Sequence, residues 1–341
     1  MVAQAGPTVK AVYLGGQGGG GRRGTGAAPA APPAGRTGKT LGVSGLRRYH
    51  HSDFALAELL EAKGDTVVSV CLPARDEEAT IGAIVATVVD ELVPAGLVDE
   101  VLVIDDGSSD ATAELARAGG ARVLSAGSLL EDRGWGAGKG RAMWEGLFAA
   151  SGDVLVYLDA DVCNFGTHFV VGLLGPLLTD PDVSFVKAFY DRPLDGRPDE
   201  GGRVTELLAR PVLAALFPHL TGVVQPLAGE CAARRDVLEQ LPFTHGYGVE
   251  LGLLVDLSER FGTRLLAQVD LGTRTHRNRP LSELSAQATA VLRAALDRVG
   301  ATAAADHAVL ERPSGELVVV RTGLHPPLTE VRAGLADEQT A

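Results

Sequence analysis

An α/β fold with a mostly parallel central sheet and helices on both faces is what this sequence predicts. Between residues 66 and 158, short apolar runs alternate with longer segments whose apolar residues recur at helical spacing. The runs are apolar throughout, as expected for strands covered on both faces. The last of them, 154–158, stops at two acids, Asp159 and Asp161, with only Ala160 between them.

The elements follow in order. "SDFALAELLEAKG" (52–64) reads as a short capped helix ended by Gly64. "TVVSVCLP" (66–73) is a buried strand. "ATIGAIVATVVDEL" (79–92) carries Ile81, Ile84, Val85, Val88, Val89 and Leu92 on one helical face. Strand 99–105, helix 110–119, strand 121–126, helix 138–151 and strand 153–158 continue the alternation. Beyond residue 166 it loosens into helix 167–178, strand 183–189, a Pro-, Gly- and charge-rich loop at 191–202, and helix 204–217. A segment without clear periodicity (222–238), helix 246–262, strand 264–272 and helix 282–300 follow. Residues 301–341 offer one strand-like run, "ELVVVRT".

Residues 1–48 are dominated by Gly, Ala, Pro and Arg and read as a disordered tail, because such a composition buries too little apolar area to offset ordering entropy. "GRTGKT" (35–40) inside it is not a phosphate loop. Pro33 stands where the first glycine belongs, and no apolar strand precedes it. The expected organisation is therefore a tail (1–48), a first half of the folded body (49–165), a second half (166–300) and a C-terminal extension (301–341).

The chain has 341 residues, 45% of them hydrophobic, and a formal net charge of −12. That charge argues against a general nucleic-acid or anionic-membrane surface, so an anionic ligand needs a local cluster of cations. The 3 cysteines, Cys71, Cys163 and Cys231, are widely spaced and odd in number, which suggests a reducing compartment with the thiols as small core residues. No apolar stretch approaches the ~18 residues of a membrane span. No cationic start leads into an apolar leader, and the expected location is cytoplasmic.

Four polar loops sit at predicted strand ends: "PARDEE" (73–78), "IDDGSSD" (104–110), "DAD" (159–161) and "THRNRP" (275–280). Parallel sheets bind ligands at that edge. A lone DxD is weak, since acids at loop starts are common helix caps; four such loops together are harder to explain by capping. Period-two alternation points Asp159 and Asp161 to the same side. Two carboxylates so close repel unless a cation lies beside them, and a hard divalent metal favours carboxylate plus phosphate oxygens.

"DDGSSD" after a strand, with DxD about fifty residues on, resembles nucleotide-sugar glycosyltransferases of the GT-A type, whose fold is Rossmann-like. "GKG" (138–140), "GGRVTEL" (201–207), "LARP" (208–211), "QPLAGE" (225–230), "PF…GYGVELGLL" (242–254) and "HRNRPL" (276–281) narrow the resemblance to actinobacterial glucosyl-3-phosphoglycerate synthases, over about residues 52–300. The resemblance implies that Pro73, Ala74, Asp76 and Glu77 hold the uracil and ribose of UDP-glucose. Asp106, Lys139 and Asp159 would complete the donor site. It implies a divalent metal, Mg²⁺ or Mn²⁺, on Asp161 and His276, and 3-phosphoglycerate held by Gly202, Arg203, Thr205 and Asn278. The Leu227 carbonyl would lie near the attacking hydroxyl, and Glu250 would contact the glucose. Arg75 stands where the family pattern has an apolar residue, and Asp76 where some members carry Asn.

The implied activity is retaining transfer of glucose to the 2-hydroxyl of 3-phospho-D-glycerate by a homodimer, with front-side attack. A mannosylglycerate-type synthase using a GDP-sugar, a polyprenyl-phosphate sugar transferase and a non-catalytic nucleotide-sugar sensor are the alternatives. GGRVTEL is unexplained by the polyprenyl reading. DxD, His276 and Arg203 together argue against a sensor.

Overall fold

The computed structural model describes residues 40–41, 45–130, 138–193, 201–275, 281–301, 307–312 and 315–340. In chain order the elements begin with β1 (Thr40–Leu41), β2 (Arg47–His50), α1 (Leu56–Lys63), β3 (Val68–Ala74) and α2 (Ile81–Thr87). Next come β4 (Glu100–Asp105), α3 (Thr112–Ala118), β5 (Arg122–Ser125), α4 (Lys139–Ala149), β6 (Val154–Tyr157), α5 (His168–Thr179) and β7 (Phe185–Asp191). After these lie α6 (Arg210–Leu216), β8 (Cys231–Arg234), α7 (Arg235–Leu238), β9 (Phe243–Thr244), α8 (Val249–Phe261) and β10 (Leu266–Thr273). The chain closes with α9 (Leu281–Arg298), β11 (His307–Glu311), β12 (Leu317–Arg321), β13 (Leu324–His325) and α10 (Leu328–Thr340).

Among the described residues, nine strands form one sheet in the order β1-β2-β10-β7-β8-β6-β3-β4-β5. Five of its eight pairings are parallel. The other three involve β1 or β8, which run against the rest. Period two sorts the core: Val68, Val70, Leu72, Val154 and Val156 face the cluster that holds α1, α2 and α5. Cys71, Leu155 and Tyr157 face the other, built on α4, α8 and α9. Helices therefore cover both faces, as the sequence predicts.

Several expectations are corrected. Residues 40–41 and 47–48, assigned to the tail, belong to strands, the second of which, β2, runs on to His50 and pairs in parallel with β10; residues 1–39 and 42–44 lie outside the described residues. Segment 222–238 contains β8, the antiparallel strand between β6 and β7. Helix 204–217 is a π stretch, Thr205–Ala209, leading into α6. The C-terminal extension holds an antiparallel hairpin of β11 and β12, a strand that pairs with β9, and α10. Cys71 and Cys231 are buried, but Cys163 is exposed.

Strand direction decides what meets at the functional edge. The carboxyl ends of β3, β4, β6, β7 and β10 all lie there. Because β8 runs the other way, its amino end lies there too, which brings Glu230 beside the loops that follow its neighbours.

Candidate active site

A cavity of about 300 Å³ opens at this edge. It brings together Pro73 and Ala74 at the end of β3, Glu77 just beyond it, Asp106 after β4, Lys139 on α4, and Asp159 and Asp161 after β6. The predicted acceptor residues Gly202, Arg203 and Thr205 line the same cavity, as do Leu227 and Glu250. His276 and Asn278 lie outside the described residues. Asp76 does not line the cavity. It has a positive φ of 54°, which Asp tolerates better than most residues. Its carboxylate accepts from the Ser109 backbone N–H (2.8 Å) and hydroxyl (3.1 Å). It therefore ties the first polar loop to the second, and its predicted role in uracil recognition has no support in this geometry.

The GKG motif shows how a short sequence aims one lysine. Gly138 has φ +104°, and a Cβ on Gly140 would run into the Thr244 carbonyl, so α4 starts in tight contact with the segment after β9. Asp106 accepts from the Gly138 N–H at 3.3 Å and lies 3.6 Å from Arg75. Its burial raises the carboxyl pKa. Lys139, at the first turn of α4, then reaches Asp159 at 2.5 Å and Glu250 at 2.6 Å.

Opposite it stands Arg274, which follows β10 and is 3% exposed. One of its nitrogens, Nη2, lies 2.9 Å from Asp159 and 2.6 Å from Asp161. Its Nε lies 2.9 Å from Glu230 Oε1, a close ion pair without the alignment of a hydrogen bond. Tyr190 donates to Glu230 at 2.7 Å, and the guanidinium sits over the Tyr190 ring at 5.4 Å. Behind these, Lys187 is buried and donates to the Ala228 carbonyl, one residue from Leu227.

Burial works against the charges on Asp159, Lys139, Arg274, Glu230 and Lys187, and their partners offset it to different degrees. Burial disfavours the Asp159 carboxylate, yet Lys139 and Arg274 hold its pKa below the usual range. Lys139 and Arg274 are held above theirs by their carboxylate partners, again against burial. Glu230, fully buried, is pushed up despite Arg274, and burial lowers the pKa of Lys187. Removing one partner from such a set leaves an uncompensated buried charge, which typically costs about 3–5 kcal/mol.

The signature of glycosyl transferase family 2 matches residues 69–241. Glucosyl-3-phosphoglycerate synthase of Petrotoga mobilis is 40% identical over 305 residues, covering 84% of this chain and 94% of the relative. The Mycobacterium tuberculosis enzyme of the same name (strain H37Rv) is 48% identical over 261 residues, covering 74% of this chain and 79% of the relative. A crystal structure of the M. tuberculosis enzyme in complex with Mn²⁺, UDP-glucose and phosphoglyceric acid superimposes with a TM-score of 0.75 at 41% identity, over 84% of this chain and 99% of that one. The chain belongs to the glucosyl-3-phosphoglycerate synthase family.

Membership sharpens the question of the metal. Among the described residues no group of three or more His, Cys, Asp and Glu side chains is arranged to hold an ion. Asp161 does offer the cavity a carboxylate of the hard-oxygen kind a divalent cation takes, with substrate phosphate able to supply further oxygens. The residues present fit such an ion. Arg274, Glu230, Tyr190 and Lys187 were not singled out in the sequence. Lys187 left a signal, a lone cation inside the apolar run "VSFVKAF"; Arg274 left a weaker one, adjoining a polar loop at a strand end.

Proposed function

We propose that this chain transfers glucose from UDP-glucose to the 2-hydroxyl of 3-phospho-D-glycerate, giving glucosyl-3-phosphoglycerate with retention at the anomeric carbon. The observation that carries the proposal is one cavity lined at once by the donor loops, by Asp159 and Asp161, and by the Gly202–Arg203–Thr205 turn. Family membership at 40–48% identity supports it. So does a further M. tuberculosis complex, which holds Mn²⁺, UDP and glucosyl-3-phosphoglycerate.

The residues suit the chemistry. Departure of a diphosphate needs positive charge, and Lys139 and Arg274 both line the cavity. A divalent cation, Mg²⁺ or Mn²⁺, held by Asp161 and His276 would act as a Lewis acid on the diphosphate oxygens. Arg203 presents a planar fork to the acceptor's phosphate or carboxylate, and the Thr205 hydroxyl adds a donor. Asp159, Asp161, Glu230 and Glu250 are each within ion-pair distance of Lys139 or Arg274. None of these four is poised as a nucleophile. That supports front-side attack, with the acceptor proton passing to the leaving phosphate beside the Leu227 carbonyl. Free thiols at Cys71, Cys163 and Cys231 agree with a cytosolic setting. The exposed side of the β11–β12 hairpin carries Val309, Leu317 and Val319, a surface the expected homodimer would cover.

No helix among the described residues is long and apolar enough to cross a membrane. The test is a transfer matrix of UDP-, GDP- and ADP-glucose and GDP-mannose against 3-phosphoglycerate, glycerate and a polyprenyl phosphate. UDP-glucose with 3-phosphoglycerate should dominate. Preference for GDP-mannose or for the polyprenyl phosphate would overturn the proposal.

A further inference from the structure

Arg274 is surrounded in a way its role in a donor site does not require. Three carboxylates converge on it, and its Nη2 alone serves both acids of the DxD. Its Nε end is fixed, against Glu230 and over the Tyr190 ring, which is itself fastened to Glu230. Arg274 itself lines the cavity, as do Asp159 and Asp161, which its Nη2 contacts. The half-buried acids Asp159 and Asp161 are thus already paired with a cation of the protein itself. A divalent cation arriving alone at Asp161 would meet a guanidinium at hydrogen-bond distance from the same carboxylate, and like charges so placed repel.

We propose that Arg274 is a built-in stand-in cation, which holds the DxD carboxylates together and yields Asp161 to the metal only when a nucleotide diphosphate arrives to receive the guanidinium. The inference rests on the glucosyl-transfer reading for the identity of the ligand. The diphosphate's negative oxygens let both cations remain, one on Asp161 and one on the phosphates. Metal and nucleotide then favour one another by the same factor, as linkage demands. Lys139 stays with Asp159 throughout, so that acid keeps a cation when Nη2, shared between the two, turns to the diphosphate.

The experiment measures free Mn²⁺ by electron paramagnetic resonance during titration of the parent chain and of Arg274→Met, each with and without UDP. The parent should bind Mn²⁺ about tenfold or more weakly without UDP than with it. Arg274→Met should bind nucleotide-free Mn²⁺ more tightly than the parent, and UDP should add little. Mn²⁺ alone should raise the melting temperature of Arg274→Met and leave the parent's unchanged, because the metal replaces the missing cation. Arg274→Lys should fall between, since a single ammonium keeps the charge but cannot stay anchored on Glu230 while it serves the DxD acids, as the two separate guanidinium nitrogens do. If Arg274→Met does not fold, the parent and Arg274→Lys still decide. Parent affinity for Mn²⁺ that ignores UDP overturns the proposal, and so does a variant whose nucleotide-free affinity is no better than the parent's. A parent that transfers glucose from UDP-glucose to 3-phosphoglycerate while binding Mn²⁺ unconditionally would sink this inference alone.

Discussion

Replacing Gly229 by alanine tests the charged network with one methyl group. A Cβ at that position would lie inside the Asp159 carboxylate, below the 3.0 Å that real Cβ atoms keep. Gly229 does not have a positive φ, so the backbone accepts alanine and the effect is steric. Asp159 must swing away from Lys139 at 2.5 Å and Arg274 at 2.9 Å. A charge-assisted hydrogen bond is worth about 1.5–3 kcal/mol, so losing both amounts to about 3–6 kcal/mol, shared between folding and donor binding. Even the lower figure, if felt in the reaction, is about a hundredfold in kcat/KM. UDP-glucose affinity by calorimetry, steady-state rates and denaturant melts would measure the two shares. Gly334→Ala on α10, where nothing lies within 4 Å of a new Cβ, is the control and should be neutral or stabilising by up to about 1 kcal/mol. Parental donor affinity, rate and stability together in Gly229→Ala would refute the reasoning.

Two further outcomes are expected. His325 is fully buried, neither ring nitrogen has a hydrogen-bond partner among the described residues, and burial, with His245 and Arg141 nearby, pushes its pKa down to about 3. Unfolded histidine takes up a proton below about pH 6.5, whereas the folded ring waits until about pH 3. Stability should therefore be full above that window and fall through it as pH drops, by up to about 1.4 kcal/mol per pH unit. Denaturant midpoints at about pH 7.5 and pH 5.5 should show a smaller loss in His325→Phe than in the parent; equal losses would exclude His325 as the cause. Arg203→Ala should lower kcat/KM for 3-phosphoglycerate by about 30- to 1,000-fold, chiefly through the acceptor KM, with UDP-glucose binding nearly unchanged. A donor-binding defect in that variant would move Arg203 to the other half of the site.

The parts of the fold that local pattern can encode were legible. Strands β3, β4 and β6 are continuous apolar runs, and the helices between them carry clean apolar faces, so the parallel half and its acid-rich loops follow from spacing. The strand β8 did not show itself because "CAAR" is four residues with no alternation, and only its neighbours make it a strand. Nor did β2, since "RRYH" reads as charge, and its partner lies far along the chain. The candidate site divides the same way. Lys139, Asp159, Asp161 and Arg203 sit in short motifs, whereas Glu230 and Arg274 acquire meaning only when an antiparallel strand start and a parallel strand end meet. Asp76 shows what the motif alone does not convey: a left-handed backbone sets its carboxylate against Ser109.

The placement of β2 also bears on how the chain is made. Residues 47–50 leave the ribosome early, yet their parallel partner, Ala267–Asp270, comes about 220 residues later. At about 5–20 residues per second that is a wait on the order of ten seconds or more. The parallel strands β3 to β6 can assemble meanwhile, with the β6 edge open until β8 is synthesised. Open edges invite pairing with other chains, and charged residues along an edge discourage it. Arg47 and Arg48 on β2 are well placed for that duty in the nascent protein, before Arg47 settles against Asp182 in the finished one.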